Sequence, residues 1–384
     1  MLKSIPCSIL RGGTSKGLYL LEKDMPPAGD VRDKVLLRLM GSPDVKQIDG
    51  LGGAASVTSK VAIIGPSARD DADVDYTFAQ VSVDKPVVSY AGNCGNISSG
   101  VGPFAIESGL VEARDPETIV RIYNTNTKKI MVEAVCTPGG KVGYEGDFSI
   151  AGVPGTAAPV KIMVNNPGGT VCKALLPTGN AVDMINVPEV GMIHASFVDA
   201  TNPLMFIDAK EIGLRGTELP AQIDTDEDLL ADLERIRGEG AKLLGLVERA
   251  EESAWKSPGV PKLTIVSAPA DYDTVSNGPI SAERIDLVGR MMSMQKEHPT
   301  YAMTGAMCTA VAAVVPGTLV NRYVRKDANT DRIRIGHPNG IIEAGVDFTE
   351  LENGEVEIKA AYGYRTARLL AQGMAFYSDI DLKI

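Results

Sequence analysis

Between Tyr76 and Ile106 the chain changes pattern twice, and this change limits what it can fold into. Residues 76–90 read as strand, because Phe78, Val81, Val83, Val87 and Val88 are aromatic or β-branched. Ala91-Gly92-Asn93-Cys94-Gly95-Asn96 is small, polar and glycine-rich, and an apolar helical pattern begins near Ser98. The order strand, tight turn, helix aims free backbone N–H groups at whatever lies before the helix, and favours a carboxylate or phosphate there. Cys94 stands at the mouth of that turn, where the same field would lower a thiol pKa. A lone cysteine beside a glycine turn also fits a buried structural role. The surrounding Gly-Asn pattern favours function.

At 384 residues the chain exceeds one ordinary core, and two domains of under two hundred residues each are expected. No apolar run approaches the ~18 residues of a membrane span, so no membrane partner is expected. The first residues, Met1-Leu2-Lys3-Ser4-Ile5-Pro6-Cys7, read as strand rather than signal peptide. The five cysteines lack CxxC spacing, which argues against a disulfide framework and against zinc and fits a reducing cytoplasm. His194, His298 and His337 do not form a metal-ligand spacing, and no metal is expected. A net charge of −11 disfavours nucleic acid, so an anion would have to meet a local pocket of donors and cations. Forty glycines and 5% aromatic residues point to many tight turns in a sheet-rich fold.

Along the chain, Arg11-Gly12-Gly13-Thr14-Ser15-Lys16-Gly17 lies between apolar segments and combines glycines with donors and a charge. It lacks P-loop spacing and reads equally as a hairpin turn with a solvated Lys16. Residues 30–41 read as a helix, with Val31, Val35, Leu36 and Leu39 at helical spacing. A glycine-rich loop then feeds a strand at 60–64, where Lys60 enters a Val-Ala-Ile-Ile run. Local pattern favours an edge-strand guard for this lysine over a desolvated functional amine. Residues 118–124 and 129–136 read as a hairpin, 142–150 as a strand, 224–246 as a helix, 263–267 as a strand and 282–294 as a helix. Met303-Thr304-Gly305-Ala306-Met307-Cys308 repeats the small-residue approach to an apolar helix; Met303 falls at the Cys94 position and Cys308 at the Ser99 position. Two halves of similar plan are the result. Arg365 and Arg368 are among the most cationic places late in the chain, readable as carboxylate binders or as salt-bridged surface residues on a last helix.

With these residues laid out, the chain resembles the family of methylaconitate isomerases, methylitaconate Δ-isomerases and oxalomesaconate tautomerases, which in turn resembles diaminopimelate epimerase in fold. The resemblance rests on residues 11–17, 47–53, 58–60, 74–76, 92–102 and the repeat at 304–312, and so spans most of the chain. Residues 41–44 and 74–81 are most similar to the methylitaconate branch. The resemblance implies an α+β fold of two pseudo-equivalent epimerase-like domains, each a mostly antiparallel barrel-like sheet around a central helix, with the active site in a cleft between them. Residues 1–185 would form the first domain, completed by a C-terminal strand at 374–384, and 186–373 the second. The epimerase uses two opposed cysteines; here Cys94 keeps the first position, while Met303 carries no transferable proton and excludes a symmetric two-thiol racemase.

The resemblance assigns base work to Lys60 and makes Cys94 and Ser15 its companions. It implies substrate contacts from Lys16, Asn93, Gly95, Asn96, Ile97 and Ser98 and from Thr304 and Gly305. Ser267 is a weaker candidate for a second acid. The implied reaction is a cofactor-independent allylic proton shift: a base removes a proton γ to a carboxylate, a dienolate forms, and the proton returns at another carbon. An ordinary lysine has a pKa of about 10.4, so keeping one neutral at pH 7 takes about 4–5 kcal/mol of differential stabilisation. The expected substrate is a small unsaturated di- or tricarboxylate, first 3-methylitaconate giving 2,3-dimethylmaleate. Oxalomesaconate tautomerisation and 2-methylaconitate isomerisation are alternatives within the class, and a non-catalytic carboxylate-binding protein is the alternative outside it. A homo-oligomer, dimer or tetramer, is the expected assembly.

Overall fold

The computed structural model describes residues 2–90, 94–293 and 295–379. The chain divides into two compact units, Met1–Met163 with Tyr364–Ile384, and Val164–Gly363.

The first unit holds strands β1 (Leu2–Gly12), β2 (Ser15–Leu21), β3 (Lys60–Pro66), β4 (Val74–Val81), β5 (Val88–Ser89), β6 (Glu117–Asn124), β7 (Lys129–Cys136) and the start of β8 (Pro159–Asn165). Its helices are α1 (Asp30–Met40), a single turn α2 (Gly95–Ser98), and α3 (Val101–Glu107). β1 and β2 form a hairpin, β3 runs parallel to β2, and β4 is antiparallel to β3. β6 is parallel to β4, and β7 and β8 follow antiparallel. Alternation puts Leu18, Leu20, Val61, Ile63, Ala79 and Val81 in one buried cluster with α1, while Tyr19, Ala62, Ile64, Tyr76 and Phe78 form another with α2 and α3. Burial on both faces explains the uninterrupted Val61-Ala62-Ile63-Ile64 run.

The second unit holds β9 (Asp183–Val187), β10 (Gly191–Ala200), β11 (Asn202–Asp208), β12 (Lys262–Ser267), the short pair β13 (Tyr272–Asp273) and β14 (Pro279–Ile280), β15 (Leu287–Ser293), β16 (Lys296–Glu297), β17 (Ile333–His337) and β18 (Gly340–Glu350). Its helices are α4 (Pro220–Ile223), α5 (Glu227–Leu243), α6 (Ser253–Lys256), α7 (Met303–Val314) and α8 (Leu319–Tyr323). Asp226 caps α5 by accepting from the Leu229 N–H at 3.0 Å, and Glu227 and Asp228 complement its dipole. The last strand, β19 (Val356–Ser378), pairs with β18 through residues 356–363 and with β1 through residues 367–378. In β10–β11–β12–β15–β17–β18–β19 the pairings run antiparallel, parallel, antiparallel, parallel, antiparallel, antiparallel. The same order holds for β1–β2–β3–β4–β6–β7–β8, so each unit repeats one mostly antiparallel plan.

Several local expectations are corrected. Of the helix expected at 282–294, the described residues 282–293 form a 3-10 turn (Ala282–Arg284) and then strand β15, because Leu287, Val288, Met291 and Met292 are buried on both faces of a sheet and their apolar run has no helical side; Met294 lies outside the described residues. Residues 142–150 form no strand beyond an isolated bridge, Phe148 to Ala157. The strand expected at 76–90 breaks into β4 and β5 around the Asp84-Lys85-Pro86 turn. No last helix exists among the described residues: Arg365 and Arg368 lie in β19.

Two predictions follow from the packing of the first unit. A Cβ on Gly17 would lie 2.6 Å from the Lys60 carbonyl oxygen and 3.1 Å from Ile97 Cδ1. Gly17→Ala should therefore lower stability by about 1–3 kcal/mol, measured as a lower urea midpoint, with loss of activity in the folded fraction. Glu133 is fully buried, with one oxygen accepting from the Gly102 N–H at 2.8 Å and the other without a partner among the described residues. Desolvation, against that hydrogen bond, raises its pKa to about 8. The folded protein thus keeps a proton that the unfolded chain has lost, and stability attributable to Glu133 falls as pH rises from about 4.5 to about 8. Glu133→Gln should raise the melting temperature relative to the parent at pH 8, with the gain shrinking towards pH 5.

Candidate functional site

Lys60 is not on an edge. It opens β3 between β2 and β4, with Gly17 and Gln80 as its cross-strand partners. It shares the face of Ala62 and Ile64, so its side chain emerges on the side that packs against α2 and α3, and the residue is 9% exposed. Nζ donates to Gln80 Oε1 at 2.5 Å and stands 5.3 Å from the centroid of the Phe78 ring. Among the described residues no carboxylate lies within ion-pair distance of it.

The turn bearing Cys94 packs against β1, β2 and β3. Cys94 is the N-cap of α2 and is half-buried, and its carbonyl accepts from the Ser98 N–H at 2.8 Å and the Ser98 hydroxyl at 3.0 Å. Gly95, Asn96, Ile97 and Ser98 make one helical turn, after which Ser99 and Gly100 interrupt the helix before α3. The continuous helix expected from Ser98 is therefore broken, and its dipole at Cys94 is that of a single turn rather than three. Asn93 lies outside the described residues.

Side chains from distant segments fasten this turn. The Tyr19 hydroxyl donates to the Ile97 carbonyl at 2.6 Å. Asn96 donates to Thr14 Oγ1 at 3.0 Å and accepts from Arg365 Nε at 3.3 Å. Burial, followed by the nearby Cys94 and then Glu133, pushes the Tyr76 phenol well above its usual pKa. Ser15, at the start of β2, is 3% exposed, and Lys16 beside it is half-buried. Lys16 pairs across the hairpin with Arg11, and Arg11 pairs with Arg368, so three cations lie in a row across β2, β1 and β19. Arg11 Nη1 donates to the carbonyls of Gly13 and Thr366, both at 2.9 Å, while Arg368 meets Glu145 at 3.1 Å.

Arg365 departs from its surface reading. It is 9% exposed, with no carboxylate partner among the described residues. Desolvation lowers its pKa to about 10, opposed by the neighbouring Cys94, so it stays charged at neutral pH. Gln80 is not among the residues singled out from sequence, whereas Arg365 is, with carboxylate binding and a surface salt bridge both left open. For Gln80 a signal existed: Tyr76, Phe78 and Gln80 recur with period two, so a polar side chain occupies an inward position.

The structure thus brings Ser15, Lys60 and Cys94 to the face of the first unit that carries residues 95–98, while Lys16 lies on the opposite face of β2 with Leu18 and Leu20. Thr304, Gly305 and Ser267 belong to the second unit. Thr304 and Gly305 form the first turn of α7; the Thr304 carbonyl accepts from Thr201 Oγ1 at 2.7 Å, and Gly305 is packed against Met291. Met303 is buried against Gly363, and Cys308 is fully buried, its thiol facing the Val198 carbonyl at 3.3 Å and its pKa raised by desolvation. Ser267 Oγ faces the Ala268 carbonyl. Among the described residues no cluster of three or more His, Cys, Asp or Glu could hold a metal, and no helix is long and apolar enough to cross a membrane.

Comparison with known proteins gives this arrangement its context. Residues 2–378 match the family model described as PrpF protein. The chain is 48% identical over 379 residues to 3-methylitaconate isomerase of Eubacterium barkeri, covering 98% of each. It is 40% identical to 2-methyl-aconitate isomerase of Shewanella oneidensis and 42% identical to 4-oxalomesaconate tautomerase of Pseudomonas putida, covering 96% of this chain in each case and 96% and 95% of those proteins. A crystal structure of methylitaconate-delta-isomerase superposes with a TM-score of 0.93 at 46% identity, covering 100% of this chain and 97% of that one. A hydroxyproline epimerase from Agrobacterium vitis, 11% identical, superposes with a TM-score of 0.51 over 97% of this chain and 92% of its own, which shows the shared epimerase-like fold. The chain belongs to the PrpF family and is an isomerase with a diaminopimelate-epimerase-like fold.

Proposed function

We propose that the protein interconverts 3-methylitaconate and 2,3-dimethylmaleate, with Lys60 as base, Cys94 as the group that returns a proton, and Ser15 as a donor to the substrate. The observation that carries this reading is a lysine amine without a carboxylate partner on the face of β3 that packs against the Cys94 turn. The identity to 3-methylitaconate isomerase supports the choice of substrate.

In chemical terms, the neutral amine takes the proton from the carbon bearing both methyl and carboxylate. The C–H electron pair enters the conjugated system, the double bond moves, and the terminal methylene carbon accepts a proton from the thiol and becomes methyl. Lysine ends as ammonium and cysteine as thiolate, and exchange with water restores both. The Arg365 guanidinium, charged and close to Cys94, supplies positive charge for a carboxylate and for the developing dienolate. The amides of Gly95, Asn96 and Ile97, in the first turn of α2, add donors. A tricarboxylate such as 2-methylaconitate or 4-oxalomesaconate is the second reading, supported by the 40% and 42% identity to 2-methyl-aconitate isomerase and 4-oxalomesaconate tautomerase.

A panel of these three substrates assayed by absorbance decides between the readings: kcat/KM should be highest for 3-methylitaconate, and a tenfold preference for a tricarboxylate would overturn that choice. Lys60→Ala should lower kcat by about 10²–10⁴ while a substrate-analogue dicarboxylate still binds. Activity within tenfold of the parent would remove Lys60 as base. Arg365→Gln should raise KM at least tenfold, and an unchanged KM would show that its charge serves only to hold Asn96.

A further inference from the structure

We propose that Gln80 is a positioning residue that fixes the direction of the Lys60 amine; this rests on the reading of Lys60 as the base. The two residues are directly opposed in the β3–β4 ladder, so their side chains leave the sheet on one face. The amide of Gln80 has one workable orientation. Its nitrogen donates to the Ser59 carbonyl at 2.8 Å and the Ser56 carbonyl at 3.1 Å, and its oxygen meets Lys60 Nζ at 2.5 Å. Rotating the amide by half a turn would set its oxygen against two carbonyl oxygens, which is repulsive, and would turn its NH₂ onto the lone pair that a neutral Lys60 amine needs.

Phe78, two residues earlier on the same face, borders the amine and is itself held. Asn126 accepts from its N–H at 2.8 Å and donates to its carbonyl at 2.9 Å. The titratable and charged groups on the neighbouring elements are Lys16 and Tyr19 of β2, Asp75 and Tyr76 of β4, Cys94 and Arg365. Among the described residues none of them hydrogen-bonds or ion-pairs with Nζ.

A neutral amine has two N–H bonds and one lone pair. Donating one N–H to a fixed oxygen confines the lone pair to a cone about that bond, and the aromatic ring blocks part of it. A carboxylate in the same place would orient the amine equally well but would hold its proton by opposite charge. An alkyl group would leave the amine free to rotate. A neutral amide acceptor gives direction without that charge.

The test compares Gln80→Glu, Gln80→Met and Gln80→Ala with the parent and with Lys60→Ala, using 3-methylitaconate. The pH dependence of kcat/KM is measured for each, and folding is checked by circular dichroism. Gln80→Glu should move the acid limb of the profile up by about one to three pH units and recover much of its activity above it. Gln80→Met should lower kcat at least tenfold at every pH, leave KM within threefold, and leave the limb where it was or lower. Gln80→Ala, which adds no bulk, should match Gln80→Met and carries the same test if either larger variant fails to fold. Wild-type kcat and an unmoved limb in folded variants would overturn the proposal. If Lys60→Ala is inactive while the Gln80 variants behave as wild type, only the positioning role falls; if Lys60→Ala is active, the base assignment falls with it.

Discussion

The chemistry of the first unit depends on a close backbone approach. Where β2 runs parallel to β3, Gly17 leaves no side chain between the Lys60 carbonyl and Ile97 of the Cys94 turn. Gly12 does the same against the Asn96 carbonyl. Without these gaps the turn could not lie on the strands, and the amine and thiol would belong to separate surfaces. The glycines cost backbone entropy and contribute no packing of their own. The buried faces of β2, β3 and β4 offset that cost, since α1 covers one side and α2 with α3 the other.

Around this seat the polar groups separate into two kinds. Tyr19, Thr14, Asn96 and Ser98 satisfy one another or the backbone and hold the turn in place. Arg365 carries charge without a carboxylate partner among the described residues, and the Lys60 amine has none either, in a chain of net charge −11. Buried cations left unpaired by the protein are costly unless an anion arrives. A dicarboxylate would meet that need at Arg365, while a base at Lys60 must shed its proton. The second unit repeats the strand plan, and Met303, which falls at the Cys94 position when the two motifs are laid over each other in sequence, opens α7 behind an Ala302 N-cap, whereas Cys94 is itself the N-cap of α2. A thioether has no proton to give, so the two helix starts cannot serve as matched acid and base.

How far the sequence revealed this depends on the range of the interactions. The hairpin at β6 and β7 and helices α1 and α5 are set by local periodicity and turn chemistry, and were legible. Residues 282–293 were not, because an apolar run buried on both faces of a sheet has no period to read. Lys60 looked like an edge guard for the same reason: only the pairing of β3 with β2 on one side and β4 on the other shows it to be interior. Arg365 lies 269 residues from Asn96 in the chain, and no local pattern could join them. The family resemblance supplied Lys60, Cys94 and the fold, and could not supply the register that sets Gln80 against Lys60.

The account stands or falls on proton transfer by two different groups, one removing and one returning. Conversion of 3-methylitaconate in D₂O, followed by proton NMR, reads this directly. A thiol exchanged with solvent would deliver deuterium, so the new methyl of 2,3-dimethylmaleate should form as CH₂D from the earliest turnovers. A product methyl that stays fully protonated would mean that one group carries the same proton across, which would contradict the separate roles of Lys60 and Cys94.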